Sequence, residues 1–148
     1  MLLSRTSEYA IRALVYILVQ NRAGRRPGFK EIANKTDAPE QFLAKILQTL
    51  AKKGMISSVK GRGGGFFFED PDEILSLYEV IVLLEDKGFF SDCLLGLKSC
   101  NEQRPCPLHV EINVLRNQII NLVKKLTIQE LSERIVDRKA VLSRLLAD

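Results

Sequence analysis

The sequence predicts a mainly α fold with one small β-hairpin. Three observations carry this expectation. Apolar residues recur at helical spacing in successive stretches punctuated by Gly- and Pro-bearing turns. One short β-branched run stands beside a glycine-rich tip. Two Ser/Thr-x-x-Glu capping boxes, Ser76–Glu79 and Thr127–Glu130, precede later apolar runs.

The first helix is expected to start at Thr6 or Ser7, whose hydroxyls can cap the exposed amides of a first turn. It carries Ala10, Leu14, Ile17 and Leu18 on one face and ends near Asn21, before the basic turn Ala23-Gly24-Arg25-Arg26-Pro27-Gly28. A short helix over Phe29 to Lys35 presents Phe29, Ile32 and Ala33 inward. Thr36-Asp37-Ala38 makes a tight turn, and Pro39 suits the first position of the next helix, where its missing N–H costs nothing. That helix buries Phe42, Leu43, Ile46, Leu47 and Leu50 as one broad stripe. Gly54 follows Lys52 and Lys53 as a left-handed cap.

Ile56 to Lys60 and Phe66 to Phe68 read as two strands around Gly61-Arg62-Gly63-Gly64-Gly65. A helix from Ser76 to about Asp86 comes next, and then an irregular stretch from Lys87 to Pro107. A long helix is expected over about Leu108 to Leu126, and a last helical segment after Thr127. Helix, short helix, tight turn, longer helix and hairpin is the order of a winged helix-turn-helix. The expected organisation is therefore a DNA-binding winged helix-turn-helix domain at 1–70, a connecting helix and cysteine-bearing sensor loop at 71–107, and a dimerisation helix with a C-terminal helical segment at 108–148.

Charge supports that division. The net charge is +4, but residues 1–66 hold 12 Lys+Arg against 4 Asp+Glu, while residues 67–148 hold 10 against 14. A basic half followed by an acidic half suits a chain of which one part meets a polyanion. On the second helix of the pair, Glu40, Gln41, Ala44, Lys45 and Gln48 face away from the apolar stripe. Gln can read adenine in a bidentate contact, and Lys can reach guanine or phosphate. Lys60, Gly61 and Arg62 at the hairpin tip allow a close backbone approach to a phosphodiester, with charge supplied by the side chains. Arg25 and Arg26 form a third basic point.

All three cysteines, Cys93, Cys100 and Cys106, fall in the irregular stretch, and the only histidine, His109, follows at once. An odd number of cysteines cannot close into a disulfide framework within one chain. Three soft thiolates suit an iron–sulfur cluster or zinc, and an imidazole can complete four-coordination. Zinc ribbons carry tight C-x2-C pairs and none is present, which disfavours zinc. After the loop, Leu108, Ile112, Leu115, Ile119, Leu122 and Leu126 recur at intervals of 4, 3, 4, 3 and 4, a heptad seam suited to a second copy of the chain. A core helix within one chain is the competing reading.

Other classes fit poorly. The 148 residues, 46% hydrophobic and 27% charged, are ordinary for one small globular unit and unlike disordered or fibrous chains. No apolar run approaches the roughly 18 residues a membrane span needs. No cleavage signal follows the apolar stretch at Leu14–Val19, so a cytoplasmic location is expected. The glycine tip lacks the Gly-Lys-Ser/Thr of a P-loop and leads into a strand. With a lone histidine and no triad, an enzyme is not expected. Two alternatives to a DNA-binding regulator that carries a cluster stay open: a regulator without a cluster whose thiols are spectators or respond to oxidation, and a metal- or redox-trafficking protein.

The opening Leu3-Ser4-Arg5-Thr6-Ser7-Glu8-Tyr9-Ala10-Ile11-Arg12, the Glu31-Ile32-Ala33 helix, the wing Gly54 to Phe66 and the three cysteines together resemble the IscR/NsrR/CymR family of bacterial winged-helix regulators over about residues 1–135. The resemblance implies a homodimeric repressor or activator on palindromic operators in double-stranded DNA, with repressor preferred. It also implies an iron–sulfur cluster, [2Fe–2S] ahead of [4Fe–4S], held by Cys93, Cys100 and Cys106. His109 would supply the fourth ligand. Glu8 is the alternative, matching a carboxylate contributed in NsrR-like members. The Cys93–Cys100 interval is one residue longer than in the iron–sulfur cluster regulator, and Ala44 stands where some members carry an acidic base-reading residue.

Overall fold

A computed structural model describes residues 3–138 and 140–142; residues 139 and 143–148 of the expected C-terminal segment lie outside the described residues. Six helices and one hairpin follow in the order α1 (Arg5–Arg22), α2 (Phe29–Lys35), α3 (Glu40–Lys52), β1 (Ser57–Val59), β2 (Gly65–Phe67), α4 (Leu77–Leu84), α5 (His109–Lys125) and α6 (Ile128–Val136). This is the mostly helical, single-hairpin fold that the sequence predicts. No helix among the described residues is long and apolar enough to cross a membrane.

α1 is the axis of the core. Ala10, Ala13, Leu14, Val15, Ile17 and Leu18 are all fully buried, so this helix is covered on nearly every side. α2, α3, α4, α6 and β2 all pack on it. α2 and α3 close against it through Ile32, Leu43, Leu47 and Leu50, also fully buried. The turn between them is held from α1: Arg12 Nη1 donates to the Thr36 carbonyl at 2.7 Å. Asp37 takes the left-handed conformation there (φ 53°), one that Asp tolerates better than most residues.

β1 and β2 pair antiparallel with Ser57 opposite Phe67, Ser58 opposite Phe66 and Val59 opposite Gly65. Both capping boxes form, on Ser76 with Glu79 and on Thr127 with Glu130. They also meet each other: Ser76 and Thr127 form an isolated bridge, Leu77 N–H reaches the Leu126 carbonyl, and Ile128 N–H reaches that of Leu75. The buried Gln129 completes the seam, accepting from Leu75 N–H and donating to the Glu73 carbonyl. α6 is thereby returned to the side of α1, where Arg22 bonds Ser132.

Four local expectations need correction. Ser4, not Thr6 or Ser7, caps α1, because the Ser7 hydroxyl is committed to Glu85. Pro39 is the cap of α3, not its first helical residue. Phe29 and Phe42, expected inside, are each 38% exposed. Phe42 sits at the core rim, edge-on to the Tyr9 ring at 5.7 Å, and Phe29 lines a cleft described below. α4 stops at Leu84, because Glu85 turns extended and accepts from both Ser4 and Ser7.

α5 is unlike the other long helices, since Val123 is its single buried residue. Its seam divides by heptad position. Ile119 and Leu126 pack partly on the core. Leu108, Leu115 and Leu122, seven residues apart, are 39%, 54% and 55% exposed.

Candidate nucleic-acid interface and metal centre

α3 has two faces. Leu43, Ile46, Leu47 and Leu50 bury one, and the opposite side shows Glu40, Gln41, Lys45 and Gln48 exposed to solvent with Ala44 half-buried. The hairpin stands beside it with Lys60, Gly61 and Arg62 exposed at the tip. Between them lies an open cleft of about 920 Å³ lined by Lys45, Gln48 and Lys52 from α3 and by Lys60 and Gly61 from the hairpin. No carboxylate lines it among the described residues. Three ammonium groups without a counter-charge make a groove suited to a phosphodiester strand.

The hairpin is seated by a residue the sequence reading passed over. Asn21, at the end of α1, donates through Nδ2 to the carbonyls of Arg25 (2.9 Å) and Phe66 (3.2 Å), and its Oδ1 accepts from Phe68 N–H (2.9 Å). Phe66 N–H adds a bond to the Pro27 carbonyl. A polar residue closing an apolar helix next to a turn was the available signal. This seating also restrains the basic turn. Arg25 Nε is held by Gln20 at 2.7 Å, and the Arg26 guanidinium lies 4.1 Å over the Phe67 ring. Arg25 and Arg26 are exposed, but they brace the hairpin root as well as carrying charge.

Gly65 is where the hairpin packs closely on the basic turn. Its φ of +145° is one side chains rarely adopt, and a Cβ there would collide with the Arg26 carbonyl. Gly65→Ala is expected to lower stability by about 1–3 kcal/mol, read by thermal unfolding. Gly24→Ala, at φ +80° with nothing within 4 Å of the added carbon, is expected to cost less.

The three cysteines converge as free thiols. The Cys93, Cys100 and Cys106 sulfurs all lie within 4.8 Å of one another, with Cys93 and Cys106 at 3.6 Å. His109 joins at the Cys100 edge, its Nδ1 3.2 Å from Cys100 Sγ. Cys106 N–H also points at the Cys100 sulfur. Glu8, the alternative ligand, is half-buried in the first turn of α1 and is not part of this group within the chain.

The loop is docked onto the helices. The Phe90 ring stacks on Tyr78 at 5.5 Å, and the Lys124 ammonium lies 4.8 Å from the same tyrosine ring. Glu85, two residues before the loop, is fastened to the α1 N-terminus through Ser4 and Ser7. That link had no sequence signal, since its partners are about eighty residues apart.

The sulfurs are not equivalent. The Leu97 backbone N–H, helped by Leu95 and the neighbouring sulfurs, pulls the Cys93 thiol down to about 7 against a smaller desolvation effect. At Cys106 the Leu108 N–H acts in the same direction, but desolvation and the two other sulfurs outweigh it and push the thiol up. The thiolate is the reactive form. In metal-free reduced protein, Cys93 is therefore expected to alkylate before Cys106, with its rate half-maximal near pH 7. Peptide mass spectrometry across pH checks this.

Residues 3–134 match the Rrf2 family, described as iron-dependent transcriptional regulator. The chain is 37% identical over 134 residues to an Aquifex aeolicus protein provisionally described as an HTH-type transcriptional regulator, covering 88% of this chain and 91% of that one. It is 25% identical over 132 residues to the HTH-type transcriptional regulator NsrR of Bacillus licheniformis, covering 88% and 92%. Among solved structures the fold matches T. potens IscR with a TM-score of 0.71 at 17% identity, over 97% of this chain and 94% of that one. Sequence match and shared fold agree with the reading face and hairpin: this chain belongs to the Rrf2 family of transcriptional regulators.

Proposed function

We propose that two copies of the chain clasp through α5 and read a palindromic duplex with paired α3 helices and hairpins. An iron–sulfur cluster held by Cys93, Cys100, Cys106 and His109 gates that binding, and the protein acts as a repressor in the cytoplasm. The observation that carries this reading is the convergence of three free thiols on a loop packed against α5, the helix with the open Leu108/Leu115/Leu122 edge.

The residues present fit such a group. Three sulfurs within 4.8 Å, no disulfide and an imidazole nitrogen beside Cys100 form a soft donor set with one harder member, as a [2Fe–2S] centre accepts. When bound, the cluster supplies iron sensitive to oxygen, nitric oxide and iron supply. The chain's own part is to convert loop order into helix spacing. The path that supports this runs from the loop through Glu85 to Ser4 and Ser7, along α1 to Tyr9, and from Tyr9 to Phe42 on α3. A ligand shifts such an equilibrium only by its differential affinity for the two arrangements. A loop pinned to α5 and joined through Glu85 to α1 is where that difference would arise.

The test is an anaerobic absorption spectrum with iron and acid-labile sulfide counts on freshly isolated protein. Visible charge-transfer bands with iron and sulfide in equal amount are expected. Protein without either is instead the second reading, a regulator with redox-responsive thiols, which the 3.6 Å Cys93–Cys106 approach favours.

A further inference from the structure

We propose that Phe29 and Val59 form an apolar seat for one deoxyribose of the strand that enters the cleft between α3 and the hairpin, and that this seat selects DNA over RNA. This rests on the DNA-binding reading above and is independent of the cluster.

Lysines supply only part of that cleft. Phe29, the first residue of α2, and Val59, the last of β1, line it beside Lys45, Lys52 and Lys60. Phe29 is 38% exposed and Val59 45%. Neither serves the core: among the described residues, both stand outside the buried cluster and outside the partly buried apolar residues packed against it. Phe66, on the same cleft, does pack against the core, so its apolar surface is already used. Gly64 and Gly65 on the hairpin side bring no side chain that could cover the pair. Gly64 is fixed as glycine, because a Cβ there would strike the Val59 carbonyl.

An occupant has to bring anionic groups to the three ammoniums and apolar surface to the two side chains. A small anion brings only the first. A DNA strand alternates them, since each phosphate is followed by a deoxyribose whose C2′ is a bare methylene. Contacts to phosphate and sugar position a protein on a duplex. In RNA that carbon carries a hydroxyl, the group by which proteins tell the two nucleic acids apart. Against Phe29 and Val59 the hydroxyl would lose water, and neither side chain has a polar atom to replace it.

The test uses the full chain as isolated anaerobically and a palindromic duplex selected with it from random DNA. Single ribonucleotides replace each position of a half-site in turn, and affinity is read by mobility shift. Wild type is expected to lose about 5–20-fold at one or two positions and little elsewhere. Hydroxyl-radical footprinting, which attacks exposed deoxyriboses, should show those same sugars protected. Phe29→Ala should bind the all-DNA site about 10–30-fold more weakly, because two copies each lose the contact of a partly exposed ring. Its salt dependence should match wild type, whereas Lys52→Ala should flatten it. Val59→Thr keeps the shape and puts a hydroxyl in the seat, so it should also weaken binding. In F29A and V59T the ribose penalty should fall at least about threefold, a readout that bracing of the hairpin alone would not move. V59T decides alone where F29A does not fold. A wild type indifferent to ribose at every position, or an undiminished penalty in V59T and in folded F29A, would overturn the seat. A wild-type chain that binds no duplex removes the DNA-binding reading itself and this proposal with it.

Discussion

A Leu115→Glu, Leu122→Glu double variant is expected to sediment as a monomer where wild type sediments as a dimer. These leucines are 54% and 55% exposed on α5 and, with Leu108 at 39%, form a row at seven-residue spacing. Val110 and Val114 are also exposed, at 67% and 55%, but at about 100° per residue they stand on another face of the helix. Such a leucine strip, on a helix with one buried residue, is the surface a second copy would cover under the proposed function. A twofold interface uses the same patch on both copies, so each substitution acts twice. At about 1.5–3 kcal/mol for a fully exposed leucine, with roughly half of each side chain left to bury, the four represent roughly 3–6 kcal/mol. That is enough to abolish a micromolar dimer, before counting the cost of facing four carboxylates across the seam. The fold should survive, because the core of Leu14, Ile17, Leu43, Leu47 and Ile81 is elsewhere. Affinity for a palindromic duplex should fall about 10²–10⁴-fold, to the level of one half-site, since linkage of the two readers is lost. An intact dimer at low micromolar concentration would refute the α5 seam.

The second large effect is expected at Cys100. Its sulfur faces His109 Nδ1 at 3.2 Å and receives the Cys106 N–H at 3.4 Å. Cys100→Ala removes the atom that joins the histidine to the other thiols. Anaerobically isolated wild type is expected to carry about two irons and two sulfides per chain, as a [2Fe–2S] centre requires. C100A should carry almost none and lose its visible absorbance, and Cys93→Ala and Cys106→Ala should behave alike. Thermal unfolding follows the same order, because a group bound only by the folded state stabilises it by mass action. Wild-type iron content in all three variants would place any cluster elsewhere.

Local chemistry made much of the fold legible. The Ser76–Glu79 and Thr127–Glu130 boxes form as written, and Gly54 takes the positive φ expected after the two lysines. The order of α2, α3 and hairpin follows from apolar spacing together with the Thr36–Pro39 turn and the glycine-rich tip. Two of the misjudged points share a cause, which is tertiary competition for a side chain. Ser7 looked like a cap until Glu85 claimed its hydroxyl. Phe42 fits the apolar stripe by periodicity, yet the Tyr9 ring gives it an edge contact at the rim.

At the thiol site, chain proximity put the three cysteines and His109 in one stretch, and the structure brings them together. The hydrogen bonds that join Arg116 to Asn113 and Asn113 to His109 were less visible, because neither residue type signals a ligand. Only their i+4 and i+7 relation to His109 hinted at them. The Asn21 anchor and the Glu85 clamp reach across 47 and 81 residues, and no local pattern encodes that.

The most direct measurement compares one protein in two states on one duplex. A palindromic site is selected from random DNA with the protein itself. Its affinity is then measured anaerobically by mobility shift, before and after the cluster is removed by chelation, at several salt concentrations. The two states are expected to differ by at least about tenfold, a coupling of roughly 1.4 kcal/mol. The tighter state should weaken steeply with salt, as phosphate contacts from Lys45, Lys60 and Arg62 require. Equal affinities in both states, with iron and sulfide confirmed in one and absent in the other, would contradict gating by the thiol centre.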